Sequence, residues 1–297
     1  MHAYLGHDDR RPAPLILGHE AAGVVENGPR AGARVAVNPL VSCLICDLCL
    51  DGRPNLCAHR QIISMPPRPG AFAERVAIPE RNLVAIPDKM SMTHAALAEP
   101  TAVSYHAVRL GVRALARPLS ACTAVVLGGG ALGMAAALVL RMLGVRQVSI
   151  ADTNQARRDT IEHCAGFETY DPSQDGGPAQ GGGPEAATAD LVVDAVGAVA
   201  TRRSACALAR PGGAIVHIGL QEAEGGLDAR RLTLQEIAFV GCYTYTLVDF
   251  RETVDALARG ALGDLSWIEE RPLGAGPQAF EEILAGQVAA PKTVLRP

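Results

Sequence analysis

Along the 297-residue chain the spacing of apolar positions changes character once, near residue 105. Before it, apolar residues come in short runs broken by Pro, Gly and charged residues: "GVVE" at 23–26, "ARVAVN" at 33–38, "FAERVAIP" at 72–79 and "LVAIP" at 83–87. Such runs predict the strands of an irregular, barrel-like β unit. After it, buried strands alternate with helices. "AVVLGGG" (124–130) is a strand entering a glycine turn, and "ALGMAAALVLRMLG" (131–144) is a helix stopped by Gly144. "QVSIAD" (147–152) is a strand, "ARRDTIEHCA" (156–165) a helix ending at Gly166, and "ADLVVDAVG" (189–197) and "GGAIVHIGL" (212–220) are strands flanking the helical "ATRRSACALA". This alternation predicts an α/β fold with a doubly wound parallel sheet. The Gly/Pro-rich stretch 171–190 reads as a lengthened, mobile connection. Near the end, "DFRETVDALARGAL" and "PQAFEEILAGQ" carry helical periodicity, and "KTVLRP" is a last strand.

Composition narrows the function. With 48% hydrophobic residues the chain can bury a large core, and its length suits about two domains of roughly 150 residues. A net charge of -4 and only 4% aromatics argue against nucleic acid or an anionic membrane as partner. No apolar run approaches the roughly 18 residues of a membrane span. The polar start "MHAYLGHDDRRP" lacks the apolar stretch of a secretory leader, so a cytoplasmic protein is expected.

Four of the eight cysteines, Cys43, Cys46, Cys49 and Cys57, fall within "CLICDLCLDGRPNLC", in the pattern C-x2-C-x2-C-x7-C. Four thiolates from one loop suit the tetrahedral corners of zinc, and with no open position such a site is structural. An iron–sulfur cluster also takes four cysteines, but the fourth here lacks the following Pro of the bacterial ferredoxin run. A second, incomplete metal signal is "LILGHE" (15–20), with His19 and Glu20 adjacent.

The glycine turn places Gly128, Gly130 and Gly133 in the spacing G-x-G-x-x-G, after a strand and opening a helix. That context suits a dinucleotide: a tight turn at Gly128, close approach of a pyrophosphate at Gly130, and helix packing at Gly133. Asp152 ends the next strand, where an acid accepts the ribose hydroxyls and repels a 2′-phosphate, favouring NAD over NADP. Arg157 and Arg158 follow. Either could lie over the adenosine edge or assist NADP; Arg158 reads as part of a solvated helix face. His7, His59, His94, His106, His163 and His217 have no motif behind them and read as structural, and Trp267 as packing.

The order "GHE", four-cysteine loop, "LAEPTAVSYHAV" (97–108) and glycine turn resembles the medium-chain, zinc-dependent alcohol dehydrogenase family, over essentially the whole chain. The sorbitol, polyol and threonine dehydrogenase branch is the most similar, through Glu99 in "AEP", "SMPPRPGAFAE" and "GHDDRRPAPLILGHE". The resemblance implies a GroES-like β catalytic domain over 1–104, completed by 246–297, and a Rossmann coenzyme domain over 105–245. It implies a catalytic zinc held by His19, Glu20 and Glu99, with the cysteine loop as the structural zinc lobe. Asp152 becomes the ribose acid, Arg157 the basic residue near the adenosine, and Lys292 a cation against the pyrophosphate. A homodimer or homotetramer is implied, with "TLQEIAFVGCYTY" (233–245) as edge strand.

One part of the pattern is incomplete. His2 falls on the His of the family's early "C-G-[ST]-D-x-H" motif, so the Cys ligand and the proton-relay Ser or Thr would lie upstream of Met1. The expectation is that the protein starts further upstream. Three functions are thus in view: an NAD-dependent oxidoreductase of a secondary alcohol, a polyol or sugar alcohol foremost; a non-catalytic NAD- and zinc-binding homologue; and a zinc-free quinone reductase using NADPH. The cysteine loop, "GHE" and Asp152 speak against the third.

Overall fold

The structure, a computed structural model of the chain, describes residues 3–6, 8–174 and 183–297. His2 and residues 175–182 of the Gly/Pro-rich connection lie outside them. The first half carries, in order, β1 (Ala21–Val24), β2 (Arg34–Val37), β3 (Leu40–Val41), α1 (Asp47–Leu50), β4 (Gln61–Ile62), β5 (Leu83–Ala85), α2 (Met92–Ala96) and α3 (Ala98–Arg113). β1, β2 and β5 form an antiparallel sheet with Ala22 opposite Ala36 and Val35 opposite Ala85. β3 pairs with β4, and that short ladder closes the base of the cysteine loop.

"FAERVAIP" is not a strand. The backbone N–H groups of Gly70, Ala71 and Phe72 are spent on the carbonyls of Ile16, Gly18 and Leu17. Beyond them the segment lines a cavity of about 1290 Å³ shared with β1 and the chain's C-terminal residues. Alternation alone does not make a strand where no ladder partner lies alongside.

The second half alternates as its apolar pattern predicts: β6 (Thr123–Leu127), α4 (Ala131–Met142), β7 (Gln147–Ala151), α5 (Gln155–Ala165), β8 (Glu168–Tyr170), β9 (Ala189–Asp194), α6 (Val199–Leu208), β10 (Ala209–His217), α7 (Ala229–Leu234) and β11 (Ala238–Gly241). The sheet runs β11-β10-β9-β6-β7-β8 with every pairing parallel. Both faces are buried. Val126, Ile150, Val193 and Val216 point into one apolar cluster; Val125, Leu127, Val192 and Ile215 point into another. The strand order reverses between β6 and β9, where an open α/β sheet leaves its ligand crevice.

α3 spans 98–113 and therefore crosses the sequence boundary drawn at 104/105. It lies close on the sheet because Gly111 has no side chain: a Cβ there would come within 2.6 Å of Val216 and 2.7 Å of Leu191. Ser104 Oγ fixes α3 to α4 by donating to the Leu132 carbonyl at 2.7 Å. The helix that carries Glu99 in its first turn is thus seated on the coenzyme-side sheet.

The chain ends with α8 (Leu247–Ala258), β12 (Ile268–Pro272), α9 (Gly276–Leu284) and β13 (Lys292–Arg296). Thr246 and Asp249 cap α8 reciprocally. Phe250 and Trp267 are buried, each contributing about 2–3 kcal/mol of apolar burial. β13 pairs in parallel with β12, and Lys292 at its start reaches Glu20.

Candidate active site and coenzyme turn

The cysteine loop gathers its four sulfurs without a disulfide. Leu44 takes a positive φ of 63°, turning the chain so that the N–H groups of Ile45 and Cys46 face the Cys43 sulfur. Those two bonds pull the Cys43 thiol down to about 6. Cys46 opens α1, Cys49 lies within it, and Cys57 closes the short helical turn Pro54–Leu56. The Cys43 and Cys49 sulfurs are 3.9 Å apart and those of Cys43 and Cys57 3.5 Å. All four lie within 4.8 Å of one another. A tetrahedron with zinc–sulfur bonds of about 2.3 Å has edges of about 3.8 Å, so the sulfurs fit zinc. Burial and the adjacent Cys46 thiol push Cys49 upward, as expected of thiols that cannot all ionise without a cation.

His19, Glu20 and Glu99 also converge, each offering a donor atom within 4.8 Å of the others. Gly18, at φ +92°, turns the chain into His19, and the Phe72 ring occupies the space a side chain at residue 18 would need. Burial drives the His19 pKa down to about 3, helped by the charges of Arg11 and Lys292, so the imidazole is neutral and its lone pair free for a metal. Glu99 is buried. Desolvation raises it to about 7, against the lowering effects of the Tyr245 hydroxyl, which donates to Oε1 at 3.1 Å, and of Arg11. One imidazole and two carboxylates leave room for a further ligand, the donor set of a catalytic rather than a structural zinc.

Lys292 is placed here. Its ammonium lies on Oε2 of Glu20, and burial lowers it to about 8. The structure gives it no contact with the glycine turn among the described residues, so a role against the pyrophosphate draws no support from its position.

The glycine turn has the backbone of a tight strand-to-helix connection. Gly128 has φ +97°. A Cβ on Gly133 would fall 1.7 Å from the Gly128 carbonyl oxygen, whereas one on Gly130 would meet nothing within 4 Å. Close packing thus requires Gly133, and Gly130 faces open space at the start of α4. Asp152 points back at the turn: its Oδ2 accepts from Gly129 N at 2.8 Å and from Arg157 Nη1 at 3.1 Å. Arg158 does not lie on a solvated face. It is buried, donating to the Asp152 carbonyl at 2.6 Å and pairing with Asp171 at 3.4 Å. A helical Arg one position from Arg157 faces inward because β8 and the start of the next connection close over it. Asp194, at the end of β9, is fully buried and accepts from Val196 N and Gly197 N, holding the loop on the crevice's other side.

Residues 1–88 match the model of the alcohol dehydrogenase GroES-like domain, and residues 131–259 that of the zinc-binding dehydrogenases. An L-galactonate-5-dehydrogenase of Escherichia coli K12 is 31% identical over 293 residues, covering 95% of this chain and 83% of that protein. This chain belongs to the zinc-binding, medium-chain alcohol dehydrogenase family. A second relative, the probable D-xylulose reductase A of Neosartorya fischeri, is 28% identical over 290 residues and covers 92% and 78% of the two chains. Among solved structures, an alcohol dehydrogenase of E. coli CFT073 complexed with NADH superposes with a TM-score of 0.86 at 25% identity, covering 99% of this chain and 86% of the other. A zinc-binding dehydrogenase of Sinorhizobium meliloti 1021 bound to NADP superposes at 0.83 with 28% identity, covering 100% and 87%.

This zinc-binding dehydrogenase thus pairs a GroES-like β unit with a Rossmann sheet, as its sequence implies. The sequence reading took Tyr245, whose hydroxyl holds Glu99, only as the end of an edge strand. The signal for Tyr245 was faint: an aromatic in "CYTYT" directly after the last sheet strand.

Proposed function

We propose that the chain oxidises a secondary alcohol of a polyol or sugar alcohol with NAD. The observation that carries this reading is the convergence of His19, Glu20 and Glu99, from two distant stretches of chain, on the start of the helix that is seated on the coenzyme sheet. Zinc held there would act as a Lewis acid on the substrate hydroxyl, lowering its pKa. His19 is kept neutral by burial and offers nitrogen; Glu20 offers a carboxylate whose charge Lys292 offsets; Glu99 is oriented by Tyr245. In the net reaction the carbinol carbon gives a hydride to NAD and its hydroxyl gives a proton to solvent. His2, which the resemblance sets on the His of the family's early motif, lies outside the described residues.

Gly128, Gly130 and Gly133 cradle the pyrophosphate, and Asp152 reads the ribose with Arg157 beside it, which favours NAD over NADP. The four cysteines hold a structural zinc. Residues 1–104 with 246–297 form the catalytic unit and 105–245 the coenzyme unit. Among the described residues β11 has a free outer edge, the natural seam for a homodimer or homotetramer. Among the described residues no helix is long and apolar enough to cross a membrane. We place the protein in the cytoplasm because its clustered free thiols suit a reducing compartment.

The test is zinc content of the purified chain together with alcohol-dependent NADH formation across a panel of polyols. Two zincs per chain and turnover support an enzyme. One zinc, coenzyme binding and no turnover would leave the non-catalytic homologue.

A further inference from the structure

Asp152 follows β7 beside the glycine turn, and the protein itself occupies most of its carboxylate. Oδ1 accepts from Asn154 N at 2.8 Å. Oδ2 accepts from Gly129 N at 2.8 Å and from Arg157 Nη1 at 3.1 Å. A carboxylate has about four lone-pair sites, so three donors leave about one. Accepting from both hydroxyls of a ribose takes two. The Gly129 and Asn154 donors are backbone and fixed, so the bond that gives way is the one to Arg157.

Arg157 is poorly satisfied where it stands. Among the described residues its side chain makes one hydrogen bond, from Nη1, while Nε is buried without a partner. A buried, unpaired N–H is unfavourable, and turning the guanidinium off Asp152 relieves it. The turned side chain presents Nε and Nη2 together, the planar pair of donors that matches a phosphate. Its neighbour is not available for this. Arg158 is buried, donating to the Asp152 carbonyl at 2.6 Å and pairing with Asp171 at 3.4 Å. Charge agrees with geometry: Asp152 is balanced by Arg157 and Asp171 by Arg158, so these four residues set no net negative charge on this corner of the turn.

The reading of the glycine turn as a dinucleotide site underlies the next step. We infer that the chain takes NADP as well as NAD, and that Arg157 admits the 2′-phosphate. With NAD, Arg157 leaves Asp152 and the ribose hydroxyls take its place. With NADP, the 2′-phosphate draws Arg157 off Asp152 and accepts from Nε and Nη2, while the 3′-hydroxyl donates to the carboxylate. NAD remains the better ligand, because Asp152 then accepts two bonds and meets no second anion.

Calorimetric titration of the full chain with NAD and with NADP tests this without turnover. The wild type should bind NADP within about 100-fold of NAD. Arg157→Ala should widen that gap by about a further 10–100-fold, the scale of a charge-assisted pair of bonds. Arg157→Lys keeps the charge and loses the fork; its gap should fall between the two, and it stands in if the alanine variant does not fold. Salt should weaken NADP more than NAD in the wild type, by a margin that shrinks in Arg157→Ala. A wider wild-type gap, or equal losses of NAD and NADP affinity in both variants, overturns the inference. Binding of neither coenzyme overturns it together with the coenzyme reading of the turn. Binding of both as expected, with no alcohol-dependent reduction of either, supports the inference and removes the proposed oxidation.

Discussion

The hydroxyl of Tyr245 donates to Oε1 of Glu99 at 3.1 Å, joining residues 146 positions apart in the sequence, and both are buried. Tyr245 also packs on Phe250, with ring centroids 5.5 Å apart. Tyr245→Phe keeps the ring and removes only the donor. It is expected to weaken metal binding at the His19 group about 10–100-fold while the cysteine loop keeps its metal. Zinc per chain during chelator competition reads both sites at once. Retention of both zincs at wild-type chelator concentrations would refute a positioning role.

The second prediction concerns acid stability. Asp249, at the start of α8, accepts from Arg109 at 2.6 Å and Thr246 Oγ1 at 2.6 Å, and lies 2.8 Å from His106 Nδ1, tying α8 to α3. Burial pushes its carboxyl up, but the bonds from His106 and Thr246 outweigh this and hold it at about 2. A carboxyl depressed on folding stabilises the fold fully above its unfolded pKa near 4, and that contribution is lost as pH falls towards 2. Asp249→Asn should cost about 2 kcal/mol at pH 7 and progressively less as pH falls from 4 towards 2. Urea titrations across that range measure it; a gap that stays constant with pH would show that the charge contributes nothing.

The parallel sheet and the glycine turn were legible because each is written locally. Continuous apolar runs at 124–127 and 191–193 declare strands buried on both faces, and Gly128, Gly130 and Gly133 declare their spacing. The cysteine loop was legible for the same reason. What escaped depends on partners remote in sequence. "FAERVAIP" has strand alternation but no neighbour to complete it, and Arg158 looks like a surface residue until Asp171 closes over it. Lys292, near the end of the chain, meets Glu20, near its start, and no spacing announces that contact. Tyr245 holds Glu99 through a contact that no period or motif encodes.

Two glycines of one turn should respond oppositely to the same methyl group. Gly133→Ala drives a Cβ to 1.7 Å from the Gly128 carbonyl oxygen, so α4 must shift and the chain loses about 1–3 kcal/mol. Gly130→Ala meets no protein atom within 4 Å and should leave the melting temperature near wild type while weakening NAD binding. Thermal melts with and without NAD separate the two. Undiminished NAD affinity in Gly130→Ala would remove that residue from the phosphate cradle.

Loss of one thiol should undo the loop. Cys57→Ser is expected to lower zinc content by one per chain and stability by about 4 kcal/mol. Chelation of the wild type should reproduce the loss. Metal analysis paired with urea unfolding checks both; a variant that keeps its metal would show that three sulfurs suffice.

The amide Nδ2 of Asn55 donates to the Tyr243 carbonyl at 2.9 Å, and Arg60 stacks on the Tyr243 ring at 4.7 Å. This docking joins positions 188 apart. On the ribosome, at about 5–20 residues per second, the cysteine loop emerges roughly 10–40 seconds before the segment it will rest on. During that interval the cysteine loop lacks the contacts that Asn55 and Arg60 make with Tyr243. The order of the chain thus sets the order of assembly: a loop made early is completed by a residue made late.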